Sequence, residues 1–409
     1  MNLYLFNPDA DLALADGRVN YIPPASARQM ACDLALLPAW YALPGSGVLA
    51  ASAYNDVFLE RMSDLWGLDA HLVTEPELGE IELESMIPWG WNAALRNRLL
   101  RNGMSEGSLP TTEKLDSWRI LASRERMEEA LKAFRHLSFC VGESRNLYNI
   151  EECRTYVETR KQVVLKMPWS GSGKGLFWCL DGSCTQTVQN WCTRVLRTQG
   201  CVVASPIYNK VLDFALEFYM NEQGEVSFEG YSCFKTTARG AYTGNLLFAD
   251  KEAEKYLSAH VPCEWLHQVC REAKLMLQKT FAGYVGYLGI DMMVCHTEDA
   301  YAIHPCVEVN LRMNMGLVAS NLTRRLLAPG ACGSFSVEYH PSADDLRACH
   351  ERDMALSPLV VCSGRISEGY LPLVPVTPSA HYRAFVRVAP PDKDCFRSHN
   401  GQQPLQQSV

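Results

Sequence analysis

The chain has 409 residues, more than one hydrophobic core usually serves, so two or three domains are expected. It is 47% hydrophobic and 21% charged, the profile of a folded soluble protein, and its net charge of -8 argues against a broad electrostatic grip on nucleic acid or an anionic membrane. No window approaches the roughly 20 apolar residues of a membrane span, and Asn2, Asp9 and Asp11 interrupt any signal-peptide pattern, so a cytoplasmic location is expected.

The chain opens on a strand-like Leu3-Tyr4-Leu5-Phe6 and a polar segment, Asn7-Pro8-Asp9-Ala10-Asp11. That segment reads either as a functional loop at a strand end or as a turn leading into a helix N-cap. Further strands are expected at Gly47–Ser52 and His71–Val73, with a helix over Asn55–Leu65 between them. Together they define a small α/β domain over residues 1–111. The Pro88-Trp89-Gly90-Trp91-Asn92 segment offers two indoles, either to a ligand or to the core.

From Thr112 to Phe134 the apolar positions Leu115, Trp118, Leu121 and Ala122 recur at helical steps. Strands are expected at Lys161–Lys166, Leu176–Leu180, Val202–Ala204, Phe214–Tyr219 and Val226–Tyr231, with helices over Val188–Thr198 and Val261–Phe281. The end of the chain, beyond about residue 390, is polar and expected to be mobile. The sixteen cysteines include no CxxC pair and read as reduced, mostly buried thiols. Cys295, His296, His304 and Cys306 match no usual zinc spacing.

Two stretches carry chemistry. The first is Lys166-Met167-Pro168-Trp169-Ser170-Gly171-Ser172-Gly173-Lys174-Gly175, in which Gly and Ser leave backbone N–H groups free to face phosphate oxygens and a lysine on each flank supplies charge. It is not a P-loop, because Gly175 stands where Ser or Thr is needed and a strand, not a helix, follows. It reads as a flap between antiparallel strands, or more plainly as a flexible hairpin. The second stretch is Gly289-Ile290-Asp291 with Glu308-Val309-Asn310-Leu311-Arg312. Strand alternation puts Glu308, Asn310 and Arg312 on one face, and a reversal about residues 299–300 brings Asp291 opposite Glu308. Such oxygen donors suit magnesium, with manganese as the substitute ion. Pro305 favours an edge strand or a bulge, and a bulge moves the pairing by one residue.

In this order the pieces resemble the ATP-grasp superfamily over about residues 112–328. The resemblance implies α+β subdomains at about 112–200 and 201–328, preceded by a pre-ATP-grasp-like α/β domain and followed by a C-terminal extension over 329–409. It implies that ATP and Mg are bound, with Asp291, Glu308 and Asn310 as metal ligands. Lys166, Ser170, Gly171, Ser172, Gly173 and Lys174 would hold the phosphates, with Arg124 near them. Ala204 and Ser205 would lie in the linker against adenine, and Asp213, or less clearly Glu217, would support the ribose. Arg312 and Lys174 would be catalytic. The acceptor is expected at the polar stretch 231–245, where Lys235, Arg239, Tyr242 and Asn245 could hold a carboxylate, unless this is an ordered surface loop. The activity implied is ligation of a small-molecule carboxylate to an amine through an acyl phosphate, yielding ADP. Phosphotransfer by the same site, or non-catalytic ATP binding, are the alternatives, and a homodimer is left open.

Overall fold

The computed structural model describes residues 1–171, 175–237, 240–298 and 300–389. Three sheets organise them. The N-terminal one is parallel: Asn2–Leu5 lies between Ser46–Leu49 and Ser85–Pro88, and Ala70–Val73 flanks Ser46–Leu49. Leu3, Tyr4, Leu5 and Phe6 are all buried, as a continuous apolar run requires in a strand covered on both faces. The strand ends at the polar segment, which turns into the helix Ala10–Asp16.

A small antiparallel sheet follows, in the order Arg145–Leu147, Val202–Pro206, Val163–Lys166, Leu176–Cys179. The helices Ile150–Arg160 and Gln186–Gln199 close its core through Cys153, Val157, Val188, Cys192 and Val195. Val202–Pro206 pairs inside this sheet, so the crossing to the next one falls at Ile207–Asn209, beyond the expected break at residue 200.

The third sheet has nine antiparallel strands, in the order Tyr301–Asn310, Gly286–His296, Lys210–Met220, Val226–Thr236, Tyr242–Leu247, Cys332–Tyr339, Tyr382–Ala389, Arg365–Pro372, Val360–Cys362. Its strands alternate. Phe214, Leu216, Phe218, Leu288, Ile290 and Met292 pack in one core with helix Cys263–Thr280, and the intervening residues face the other way. Helix Met315–Leu326 covers part of that second face. The segment 329–389, expected as an appended extension, instead adds four strands to the same sheet.

Two expectations changed in shape. The expected helix over 112–134 is broken: Thr112–Leu121 stops, Ser123 caps a short turn through its hydroxyl, and Met127–Ala130 resumes. The polar stretch 231–245 is a hairpin, because Val226–Thr236 continues five residues past its expected end and pairs with Tyr242–Leu247. Most cysteines carry free thiols, many of them buried, whereas Cys332 is disulfide-bonded, against the expectation of uniformly reduced thiols. Among the described residues, no helix is long and apolar enough to cross a membrane.

Candidate active site

The hairpin formed by Gly286–His296 and Tyr301–Asn310 sets the site. Its register pairs Gly289 with Asn310 and Asp291 with Glu308. Directly opposed residues of an antiparallel pair share a face, so the two carboxylates and the amide stand together. A bulge does occur near Pro305, but it lies between Glu308 and His304, beyond the carboxylate pair, and the strand is at the sheet edge, where Pro is tolerated.

Burial pushes the Asp291 carboxyl up to about 7, and the charge of Glu308 adds to the rise, while a hydrogen bond with the Asn310 side chain opposes it. Burial and mutual repulsion of two carboxylates at one point would be relieved by a divalent ion, and this is the physical sign that the set fits one. The donors are two carboxylates and one amide; among the described residues no group of three His, Cys, Asp or Glu forms a separate metal cluster.

Three basic groups face this pair. Lys166, at the end of its strand, is 9% exposed with no ion-pair partner within 4 Å among the described residues. Burial, with the nearby Arg124 charge, lowers its ammonium to about 8. Arg124 exists as a site residue because the helix breaks before it. Its backbone N–H donates to Pro168 O at 3.0 Å. Its guanidinium donates to Met167 O, Ser170 Oγ and Ser170 O at 2.6–2.9 Å and pairs with Glu308 at 2.6 Å. One buried side chain thus ties Met167 and Ser170 to the strand Tyr301–Asn310. Arg312 makes a two-pronged pair with Asp11, both contacts at 2.8 Å, and also donates to Asn310 Oδ1 at 3.1 Å.

Asp11 carries no role in the resemblance. It lies in the first turn of the helix Ala10–Asp16, 301 residues from Arg312 in sequence. The signal present in the sequence was the polar segment following a buried strand; what it faced was invisible. Asn7 fixes the approach, bonding both the carbonyl and the N–H of Gly90. A Cβ on Gly90 would fall 2.7 Å from that of Ala10, so only glycine allows the helix this close. The two indoles divide their roles: Trp89 packs edge-on against Phe6 in the core, and Trp91 lines the cleft in front of Arg312.

The other expected residues fall as follows. Ser170 is buried under Arg124, and Gly171 abuts Asp11 so closely that a side chain would collide with its carboxylate. Ser172, Gly173, Lys174 and Arg239 lie outside the described residues. Ala204 and Ser205 sit inside the small sheet, Ala204 paired on both sides, so its backbone is committed to the ladder; the open connection is Ile207–Asn209. Asp213 shares the face of Asp291, two register positions away, and holds Lys210 at 2.5 Å and the Thr236 hydroxyl at 2.6 Å.

The acceptor set does not converge. Tyr242 donates to Asn245 at 2.5 Å, and Asn245 donates to Ser232 at 2.7 Å, so both are engaged internally. Lys235 alternates to the opposite face from Asp213 and Asp291. The reason is the hairpin itself: a strand, unlike a loop, cannot aim successive side chains at one point. Behind this network is Glu217, 1% exposed, its carboxyl pushed up to about 8 by burial against a 2.7 Å hydrogen bond from Asn314.

The fold matches solved structures. The biotin carboxylase–beta-gamma-ATP complex from Campylobacter jejuni superposes at a TM-score of 0.52 with 12% identity, covering 95% of this chain and 87% of that one. N5-carboxyaminoimidazole synthetase from Staphylococcus aureus gives 0.48 at 10%, covering 95% and 93%. The biotin carboxylase domain of Hydrogenobacter thermophilus 2-oxoglutarate carboxylase gives 0.49 at 12%, covering 95% and 86%. The Campylobacter match carries the fold assignment: the chain is built on the ATP-grasp fold, and the match extends over 95% of it. No family model matches the sequence, and no curated protein matches it.

Proposed function

We propose that the protein is an ATP- and Mg-dependent ligase that activates a small carboxylate as an acyl phosphate for attack by an amine. One observation carries this reading: Asp291 and Glu308 oppose each other in register on a sheet face toward which Lys166, Arg124 and Arg312 also point.

In this reading Asp291, Glu308 and Asn310 hold Mg. When bound, the ion neutralises and orients the terminal phosphates. The unpaired Lys166 takes a phosphate oxygen in a charge-assisted hydrogen bond. A carboxylate oxygen of the substrate attacks the γ-phosphorus, and the bond to the β–γ bridging oxygen breaks, releasing ADP. Arg312 offers its guanidinium to the charge that develops. The amine nitrogen then attacks the acyl carbon and sheds a proton, and the carbon–oxygen bond to phosphate breaks with phosphate leaving. Exclusion of water from the closed site protects the acyl phosphate. Phosphoryl transfer asks little else of a protein than positioning and charge neutralisation.

The test measures ADP and phosphate release against a crossed panel of small acids and amines. Release that needs both partners, lost in Glu308→Ala with an unchanged thermal midpoint, supports the reading. A wild-type rate in Glu308→Ala, or a stable phosphorylated product without an amine, overturns it.

A further inference from the structure

The segment Met167–Gly171 is rich in small residues, yet an indole, Trp169, stands in the middle of it. The structure gives that indole a task. From Met167 to Trp169 every backbone donor and acceptor is committed to the protein. The Met167 N–H donates to Gly175 O at 2.9 Å, and Met167 O and Pro168 O both accept from Arg124. One side chain holds the backbone of Trp169 on both sides: its N–H donates to Gln199 Oε1 at 2.9 Å, and its carbonyl accepts from Gln199 Nε2 at 3.2 Å. The ring is gripped as well. Its Nε1–H donates to the carbonyl of Arg119 at 2.9 Å, and the guanidinium of the same Arg119 lies 4.2 Å from the ring centroid. Of the aromatic faces, that of Trp holds a cation best. Arg119 donates in turn through Nε to Leu14 O at 2.7 Å, a carbonyl in the last turn of the helix Ala10–Asp16. Such carbonyls have no partner within the helix and favour a cation. Two residues beyond Trp169 the chain meets the same helix again, where Gly171 abuts Asp11. Among the described residues Gly171 itself makes no hydrogen bond.

We propose that Trp169 is a positioning residue for the nucleotide: clamped between Arg119 and Gln199, it fixes Ser170 and Gly171 against the first helix, so that the Gly171 N–H is in place for a phosphate oxygen before the nucleotide arrives. The inference rests on the ligase reading. Its physical sense is preorganisation. A backbone residue that is already ordered spares binding the entropy of ordering it. Arg124 fixes Ser170 from the side of Glu308, through the Ser170 carbonyl and hydroxyl, and Trp169 fixes it from the side of the first helix. With Trp169 removed, Arg124 holds the segment from one side only, and Gly171 has to be ordered at the moment of binding.

The test uses the full chain and two measurements, amide hydrogen exchange of the free protein and calorimetric titration with β,γ-imido-ATP. In the wild-type chain the amides of Met167 and Trp169 are expected to exchange slowly. Trp169→Ala should speed exchange over Met167–Gly171 by about tenfold or more and leave the strands Gly286–His296 and Tyr301–Asn310 as protected as before. It should also weaken β,γ-imido-ATP by about tenfold, since the segment is then ordered only on binding. Trp169→Phe, which keeps a ring under Arg119, should recover part of both. Unchanged exchange over Met167–Gly171 in Trp169→Ala, or wild-type affinity for β,γ-imido-ATP, overturns the proposal. So does a loss of protection that spreads to the two strands, because Trp169 is then a support of the whole fold rather than of one segment. If Trp169→Ala does not fold, Gln199→Ala replaces it, with the same two changes expected and their absence again overturning. The two failures are distinguishable: a wild-type chain that does not bind β,γ-imido-ATP removes the ligase reading, while the exchange measurement, made without nucleotide, still decides whether Trp169 fixes the segment.

Discussion

At the scale of single residues, the site is a set of charges held out of water before their ligand arrives. Lys166 is the clearest. Burial lowers its ammonium to about 8, helped by the neighbouring Arg124, so the group is protonated at neutral pH but close to losing its proton. Phosphate binds the protonated form, and bound phosphate in turn holds the proton on. Above pH 8, binding a nucleotide must therefore take up a proton, and affinity falls by about tenfold per pH unit until the proton is lost from the complex too. Below that pH the affinity should be flat. We expect this break in the dissociation constant of a non-hydrolysable ATP analogue measured without metal ion. Lys166→Arg should remove the break, since a guanidinium stays charged across the range. Lys166→Ala should weaken binding by roughly 10–100-fold at neutral pH, the worth of a charged hydrogen bond. A wild-type curve that stays flat from pH 7 to 10 would remove Lys166 from the phosphate site. The carboxylate pair was legible at this scale because strand periodicity puts Glu308 and Asn310 on one face and a reversal about residues 299–300 brings Asp291 opposite Glu308. Asp11 was not, because its partner is 301 residues away and no local pattern encodes that distance.

At the scale of elements, the pattern of success follows the range of the forces involved. Strand and helix positions read from alternation and helical steps came out within a few residues, since those signals are local. The expected helix over 112–134 failed at Ser123, where a side-chain cap and the Arg124 contact with Pro168 outweigh continued helix. The 231–245 stretch looked like a substrate loop by composition, yet pairing with neighbouring strands made it a hairpin. One junction between elements is argued best from what glycine leaves open. Gly316, at the start of the helix Met315–Leu326, and Gly289, on the strand Gly286–His296, both face Glu217. A methyl group on Gly316 would collide with Glu217 Oε1 and lie 2.5 Å from Ser232 Oγ. Alanine normally favours a helix over glycine by about 1 kcal/mol, but here overpacking, at about 1–3 kcal/mol, opposes it. We expect Gly316→Ala to lower stability in denaturant titration. The loss should shrink or reverse when Glu217→Ala removes the obstructing carboxyl, because the two sites are in contact and do not add independently. Equal losses in both backgrounds would mean that the helix start is not seated on Glu217.

At the scale of the whole molecule, the last strands are part of the frame that holds the candidate site. The core around Trp40 contains Tyr4, Phe6 and Leu37 from the N-terminal sheet and its helices, Leu317 and Leu322 from the helix after the strand Tyr301–Asn310, and Phe335, Ile366 and Val386 from the C-terminal strands. Trp40 also donates its indole N–H to the carbonyl of Leu373 at 2.6 Å. Without the C-terminal strands those faces meet water. Exposing one large apolar side chain costs about 1.5–3 kcal/mol, and the net stability of a native protein is only about 5–15 kcal/mol. Uncovering four or five of them is therefore enough to cancel folding of the N-terminal unit, and with it the support for Asp11. We expect a chain ending at residue 328 to lose cooperative unfolding and to bind a hydrophobic dye, although it keeps every residue of the proposed metal and phosphate set. Adding a separate chain of residues 329–409 should restore part of the near-ultraviolet circular dichroism, since the missing strands would return to the sheet edge at Tyr242–Leu247. A truncated chain that melts in one sharp transition at the full-length midpoint would show instead that residues 1–328 stand alone and that the shared core contributes nothing to them.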